Sequence, residues 1–335
     1  MSVRVLVTGA FGFLGTHVCE ELKNRGFTDI IGVGNTEKSY QEPRHGWFLK
    51  EDGSQSIYGD LRNPRHVDAI IGQTNPDIVI HLAARVGGIG ANQKNPGKFF
   101  YDNIKMGVEL IERCRHLPNL QKFVLLSTVC SYPKHCPTPF KEDSIWDGYP
   151  EETNAPYGIA KKSLMEMIQA YRKQYDMKGI TLIPVNMYGP GDNFNPESSH
   201  VIPALIHKMS KLGEDEDIHI WGTGKATREF FYVKDSARGI VDAMIGYDAP
   251  EPVNLGTGHE ISIAELTKII AGIMGKNGKF VYDTSKPDGQ PSRRLDISRA
   301  ISSFDFTAQT DLVDGLRETI DWYLETNKMA LKCQS

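Results

Sequence analysis

Along the first half of the chain, short apolar runs alternate with longer stretches in which apolar residues recur every three or four positions. Val3 to Val7 is almost continuously apolar, the mark of a strand buried on both faces of a parallel sheet. Thr16 to Arg25 then reads as an amphipathic helix ending at Gly26. The alternation continues with a strand at Asp29 to Val33, a third ending in Ile57-Tyr58-Gly59-Asp60-Leu61, a helix from Pro64 to Gln73 and a fourth buried strand over Asp77 to Ala84. A helical stretch from about Pro96 to His116 leads to a fifth strand, Lys122 to Ser127, and a long helix opens after Asn154-Ala155-Pro156. Gln41 to Ser54 reads as polar loop. This rhythm predicts an α/β protein with a Rossmann-type doubly wound parallel sheet. Past Asn193 buried strands thin out, which predicts a smaller, mixed α/β C-terminal lobe. The expected division is a Rossmann-type domain over 1–190, joined by a later strand and helix from around 225–250, and the smaller lobe over 191–330.

Composition changes this picture little. The 335 residues are 40% hydrophobic and 24% charged, as in an ordinary soluble domain. A formal net charge of -4 gives no global reason to expect nucleic acid or an anionic membrane as partner. No apolar run approaches the roughly 20 residues of a transmembrane helix. The apolar start runs straight into a glycine turn, not a cleavage site, so a cytoplasmic protein is expected. Five irregularly spaced cysteines suit reduced thiols, and no metal site is expected.

The chemistry begins in that turn, Gly9-Ala10-Phe11-Gly12-Phe13-Leu14-Gly15. Three glycines between a strand and a helix let backbone approach a pyrophosphate set on the helix N-terminus, so the turn predicts a dinucleotide site. The second strand ends in Gly34-Asn35 with Lys38 and Arg44 close by, where a carboxylate would hold the ribose of the unphosphorylated cofactor. That favours NADP(H), with NAD(H) open if the two cations are only solvated loop charges. Asp60 and Leu61 are placed at the adenine, and the small residues of Leu82-Ala83-Ala84 let a ligand lie against the backbone. At the exit of strand five stands Leu126-Ser127-Thr128-Val129-Cys130, where an open parallel sheet places its ligand crevice. Tyr157 and Lys161 follow at i and i+4 on one helix face, a spacing in which an ammonium favours the phenolate and brings a reluctant tyrosine closer to working pH. Alone that spacing is common on solvated helices; after the glycine turn and the strand-five hydroxyl it forms a constellation.

The constellation resembles the extended short-chain dehydrogenase/reductase superfamily. Arg85 to Asn92, Ser127-Thr128-Val129-Cys130, Asn186-Met187-Tyr188-Gly189-Pro190-Gly191-Asp192-Asn193-Phe194, Ser199 to Leu205 and Trp221-Gly222-Thr223-Gly224 are similar to the GDP-L-fucose synthase family over residues 3 to about 325. The resemblance implies a bifunctional 3,5-epimerase and 4-reductase acting on GDP-4-keto-6-deoxy-D-mannose. It implies Cys130 as base and His200 as acid of epimerisation, although Cys130 alone would read as a small buried hydrophobe and His200 as a cap-region residue. It also implies Tyr157 as proton donor in the reduction, Lys161 lowering its pKa and holding the nicotinamide ribose, and Thr128 on the substrate oxygen. Pro184, Asn186, Met187 and His200 join the cofactor set, and Val86, Gly87, Asn186, Asn193, Val201, Lys208, Trp221, Arg228, Asp288 and Arg293 the nucleotide-sugar set. Arg228 and Arg293 are candidate diphosphate clamps. The chain carries Arg293-Arg294-Leu295-Asp296 where the family commonly has a lysine and apolar residues, which leaves the base and the exact 4-keto sugar open. The helices near 96–116 and 157–175 are implied to pair into a homodimer. The rivals are a reductase or epimerase of single function on another nucleotide sugar, and a catalytically silent NADP(H)-binding sensor.

Overall fold

The computed structural model describes residues 2–35, 47–49, 55–285 and 290–332. Its first strand, β1 (Arg4–Thr8), is followed by α1 (Phe13–Asn24), β2 (Asp29–Gly34), β3 (Trp47–Leu49) and β4 (Gln55–Tyr58). The helix α1 begins at Phe13, before the expected Thr16, because the glycine turn ends at Gly12 and the chain coils at once. Next come α2 (Pro64–Thr74), β5 (Ile78–His81), α3 (Ile89–Lys94), α4 (Pro96–Cys114), β6 (Lys122–Leu126), α5 (Ala155–Tyr175), β7 (Gly179–Pro184) and β8 (Asn186–Tyr188). The remainder is α6 (Val201–Met209), β9 (Ile218–Trp221), β10 (Thr227–Arg228), β11 (Phe230–Tyr232), α7 (Val233–Gly246), β12 (Val253–Leu255), β13 (Ile261–Ser262), α8 (Ile263–Ile273), β14 (Phe280–Asp283), α9 (Ser298–Phe304) and α10 (Leu312–Lys332).

Eight strands form one sheet in the order β12-β7-β6-β5-β1-β2-β4-β3. Every neighbouring pair is parallel except β3 with β4, which is antiparallel. The doubly wound Rossmann-type sheet is therefore present, with β3 as an addition. That strand corrects part of the loop expected over Gln41 to Ser54: three residues gain edge pairing from β4, a partner that local patterning does not reveal. The central strands are largely apolar because helices cover both faces, so their apolar side chains join one core from Val5 and Leu6 through Val124 and Ile180 to Leu255. A second core gathers Ile202, Ile206, Ile218, Phe230, Leu266 and Leu316 beneath the C-terminal lobe. Three small sheets hold that lobe together, β8 with β11, β9 with β14 and β10 with β13. The strand ends of the large sheet and the start of α6 thus belong to two cores.

Candidate active site

The dinucleotide turn has the shape its glycines predict. Gly9 adopts φ +72°, and a Cβ there would lie 2.9 Å from the Ala83 backbone nitrogen, so only glycine lets β1 exit beside β5. Gly12 caps α1 in an extended conformation without a side-chain hydrogen bond, which leaves the first amides of the helix directed at the turn. An uncapped helix start beside backbone free of Cβ atoms fits a pyrophosphate. Phe13 and Leu14 begin the helix, and Gly15 packs it against the turn. Phe11 lies beside Tyr58, ring centroids 5.4 Å apart, and a Cβ at Gly34 would overlap its ring. Glycine at the end of β2 therefore makes room for Phe11. Asn35 is exposed just past that strand, and Lys38 and Arg44 lie outside the described residues.

At the next strand end Asp60 is engaged by Arg62, whose guanidinium also reaches Asp102 at 3.1 Å. That bond, ahead of the opposing burial, holds the Asp60 carboxyl below its ordinary pKa. Leu61 is buried beside it. Arg85 binds the other oxygen of Asp102 at 2.8 Å, so one buried carboxylate joins the Asp60 segment to the one leading into Val86 and Gly87. Sequence reasoning did not identify this link, because Arg62, Arg85 and Asp102 are far apart in the chain.

The chemistry converges at the ends of β6 and α5. Thr128 caps a single 3-10 turn, Val129–Ser131, with its Oγ1 accepting from the Cys130 amide at 3.2 Å. The Ser131 hydroxyl donates to the Gly158 carbonyl at 3.0 Å, and a Cβ on Gly158 would overlap the Cys130 carbonyl oxygen. The glycine after Tyr157 thus lets the Cys130 turn sit on the start of α5. Tyr157 and Lys161 are 7% and 2% exposed. The Lys161 ammonium donates to the Leu126 carbonyl at 3.1 Å, and burial pulls its pKa down to about 8. Burial, then the charge of Cys130, push the Tyr157 phenol well above its ordinary pKa, against a hydrogen bond with Thr128 that favours the phenolate. The expected lowering by Lys161 is not seen. Its ammonium faces the end of β6, and desolvation of the phenol dominates.

His200 is the extended residue before α6, and its side chain makes no capping hydrogen bond, which removes the cap reading. His200 is an exposed residue, yet the protein packed around it desolvates the ring and pushes its pKa below the ordinary value. The Gly88 amide donates to the Ser198 carbonyl at 3.0 Å, and the Asn193 amide to the Ser198 hydroxyl at 2.9 Å, so the Val86-Gly87 and Asn193 segments both border the approach to His200. Val201 follows as the first residue of α6.

The other expected residues spread along the same seam. Leu82 and Ala83 bond to Thr8 across β1 and β5, Ala84 follows them, and Ser127 lies 3.4 Å from Ser131, hydroxyl to hydroxyl. Pro184 ends β7, the Asn186 amide donates to the Glu229 carbonyl at 3.0 Å, and the Met187 sulfur accepts from Ser236. Lys208 donates to the His219 carbonyl at 2.8 Å, the Arg228 guanidinium to the Thr227 carbonyl at 2.7 Å, and Trp221 is 70% exposed at the end of β9. Arg293 brings Nη1 to 3.9 Å from the Cys130 sulfur. Asp288 lies outside the described residues.

A glycine turn on a doubly wound sheet, followed by a hydroxyl, a tyrosine and a lysine at one strand end, defines a dinucleotide-dependent enzyme of the short-chain dehydrogenase/reductase class. The chain belongs to the NAD dependent epimerase/dehydratase family, whose model matches residues 5–256. It is 35% identical to "Probable GDP-L-fucose synthase 1" of Oryza sativa subsp. japonica over 324 residues, covering 96% of this chain and 92% of that one. It is 33% identical to GDP-L-colitose synthase of Yersinia pseudotuberculosis, covering 96% and 98%. Among solved structures, GDP-L-fucose synthetase from Naegleria fowleri bound to NADP superposes with a TM-score of 0.81 at 26% identity, covering 98% of this chain and 96% of that one.

Proposed function

We propose that this chain is an NADP(H)-dependent 3,5-epimerase and 4-reductase that converts GDP-4-keto-6-deoxy-D-mannose to GDP-L-fucose. The observation that carries the reading is the junction of the Cys130 turn with the Tyr157 helix at Gly158, because it sets a thiol and a phenol at one strand end. Epimerisation beside a C4 ketone needs a base on one side of the ring and an acid on the other. Cys130 takes the C3 or C5 proton, the electron pair moves onto the carbonyl oxygen, and His200 returns a proton from the opposite face. Tyr157, kept protonated by its burial, then gives its proton to the C4 oxygen, which the Thr128 hydroxyl orients. NADPH, held by the Gly9 to Gly15 turn and the Lys161 ammonium, supplies the hydride to C4. Lys208, Trp221, Arg228 and Arg293 line the nucleotide-sugar end, with the division between cofactor domain and substrate lobe near residue 190.

Among the described residues no helix is long and apolar enough to cross a membrane. Among the described residues Cys19, Cys114, Cys130 and Cys136 form no disulfide, which accords with work in the reducing cytoplasm. Phe100 and Tyr101 on α4 are 40% and 58% exposed, an apolar face suited to pairing with a second copy of the chain. Incubation with the GDP-4-keto sugar and NADPH in D₂O, read by NMR, tests the function. Deuterium at C3 and C5 of a GDP-L-fucose product is expected. A product reduced at C4 with neither label would leave a reductase of single function, and bound NADPH without turnover a silent sensor.

A further inference from the structure

Cys130 is the less obvious half of the proposed acid-base pair, since a thiol removes a proton from carbon only as the thiolate. Among the described residues, charged or titratable groups reach it from two elements. Tyr157 on α5 is coupled to it electrostatically, and a phenol beside a thiolate offers no compensating positive charge. From the segment before α9, 163 residues further on, the Arg293 guanidinium brings Nη1 to 3.9 Å from the sulfur.

That arginine is aimed. Its Nε and Nη2 both donate to the Gln290 Oε1, at 3.1 and 2.9 Å. The Gln290 amide nitrogen in turn donates to the Lys134 carbonyl at 2.6 Å, in the loop that leaves the Cys130 turn. Rotating the amide would break all three bonds at once, so the fork is locked and Nη1 is left toward the sulfur. The backbone beneath is pinned as well: the Glu229 amide donates to the Arg293 carbonyl at 3.1 Å, and the Phe140 amide to the Arg294 carbonyl at 2.7 Å. The acceptor that holds the fork is a neutral amide, and among the described residues no carboxylate pairs with Arg293. A carboxylate in the place of Gln290 would spend the positive charge; the amide orients the guanidinium and leaves that charge for the thiol.

We propose that Arg293, aimed by Gln290, is the positioning residue that holds Cys130 as a thiolate and so makes it able to take the C3 and C5 protons. The proposal rests on the reading of Cys130 as the base. In each abstraction it supports, the thiolate accepts the proton from carbon, the C-H electron pair passes to the C4 carbonyl and the sulfur becomes a neutral thiol, which gives its proton to solvent before the second carbon is deprotonated.

The test is the rate of Cys130 alkylation by iodoacetamide against pH, followed by peptide mass mapping so that Cys19, Cys114 and Cys136 are scored separately. It is run on the full-length wild type and on Arg293→Met, Arg293→Lys and Gln290→Leu. An adjacent opposite charge favours the ionised form, so Arg293→Met should alkylate roughly tenfold more slowly at pH 7. Arg293→Lys keeps the charge and should stay within about threefold of wild type, and Gln290→Leu, which keeps the arginine but frees its aim, should fall between. Solvent deuterium exchange into C3 and C5 should drop in the same order, while NADPH binding, followed by its fluorescence, reports that each variant is folded. If Arg293→Met unfolds, the displacement of Gln290→Leu decides. A wild-type alkylation profile in every folded variant overturns the proposal. If wild type shows no exchange while the alkylation profiles still separate, the guanidinium-thiolate pair stands and the epimerase reading falls instead.

Discussion

Tyr157 and Lys161 differ from His200 and Trp221 in where the fold puts them. The first pair stands on a 21-residue helix against the large sheet, 7% and 2% exposed. The second pair stands on short elements of the C-terminal lobe, at the start of a nine-residue helix and at the end of a four-residue strand, both open to solvent. In the proposed function the buried pair serves a step common to many dinucleotide enzymes, proton delivery to a carbonyl oxygen, and the sheet holds it whatever the substrate. In the same proposal the exposed pair borders the space where a particular sugar and nucleotide must fit. Cys130 lies between them, on the sheet side of the seam but reached by Arg293 from the lobe side. General chemistry is thus placed in the wall, and selection at the rim.

The sharpest way to break this contrast is Tyr157→Phe. Removing the phenol oxygen while keeping the buried ring should lower 4-reduction about 10³-fold, the scale of a lost general acid. Exchange at C3 and C5 should stay within about threefold of wild type, since Cys130 and His200 are intact. NADPH oxidation and NMR exchange on the same sample measure both, and equal loss of the two would show that the halves are one unit.

The buried side of this comparison was largely legible in the sequence. A five-residue apolar strand, a glycine turn and a helix announce themselves through local pattern, and so do Tyr157 and Lys161 at i and i+4. What the sequence did not disclose depends on contacts between distant residues. The paired strands β9 and β14 lie about sixty residues apart, Arg62 and Arg85 meet on Asp102, and Arg293 arrives at Cys130 from another element. The direction of the Lys161 ammonium was also hidden: spacing puts lysine and tyrosine on one face, but the Leu126 carbonyl and the depth of burial decide where the charge points and which way each pKa moves.

That depth gives a second prediction. Burial brings the Lys161 pKa from 10.5 down to about 8, so the folded state resists its protonation. The sign follows from linkage: the lysine's contribution is most favourable above pH 10.5, where folded and unfolded chains are both neutral, and it is lost as pH falls toward 8. The gap of about 2.5 units corresponds to about 3 kcal/mol, less about 1 kcal/mol for the bond to Leu126 that a replacement forfeits. Lys161→Met, close in volume, should therefore be about 2 kcal/mol more stable than wild type at pH 7, with the advantage closing between pH 8 and 10.5. Urea unfolding of both proteins across that range measures the difference, in which other titrating groups largely cancel. A gap that does not change with pH would mean the ammonium is better solvated than its 2% exposure indicates.

His200 should give the smallest and most selective effect, and it tests the exposed side. Its side chain makes no capping bond, so His200→Asn should alter stability at neutral pH by no more than about 0.5 kcal/mol. Exchange at the sugar carbons should fall about tenfold, because asparagine fits the site yet cannot return a proton. Reduction of a ketone already in the product configuration should be nearly unchanged. The pH dependence adds a second reading. Crowding holds the imidazole pKa below 6.5, so the imidazolium that returns the proton becomes scarcer as pH rises above it, and wild-type exchange should decline toward pH 8. The same lowered value makes the histidine's contribution to folding present above pH 6.5 and lost below it, in a window that His200→Asn removes. A variant that loses reduction along with exchange would place His200 in the wall with Tyr157 and undo the division between wall and rim.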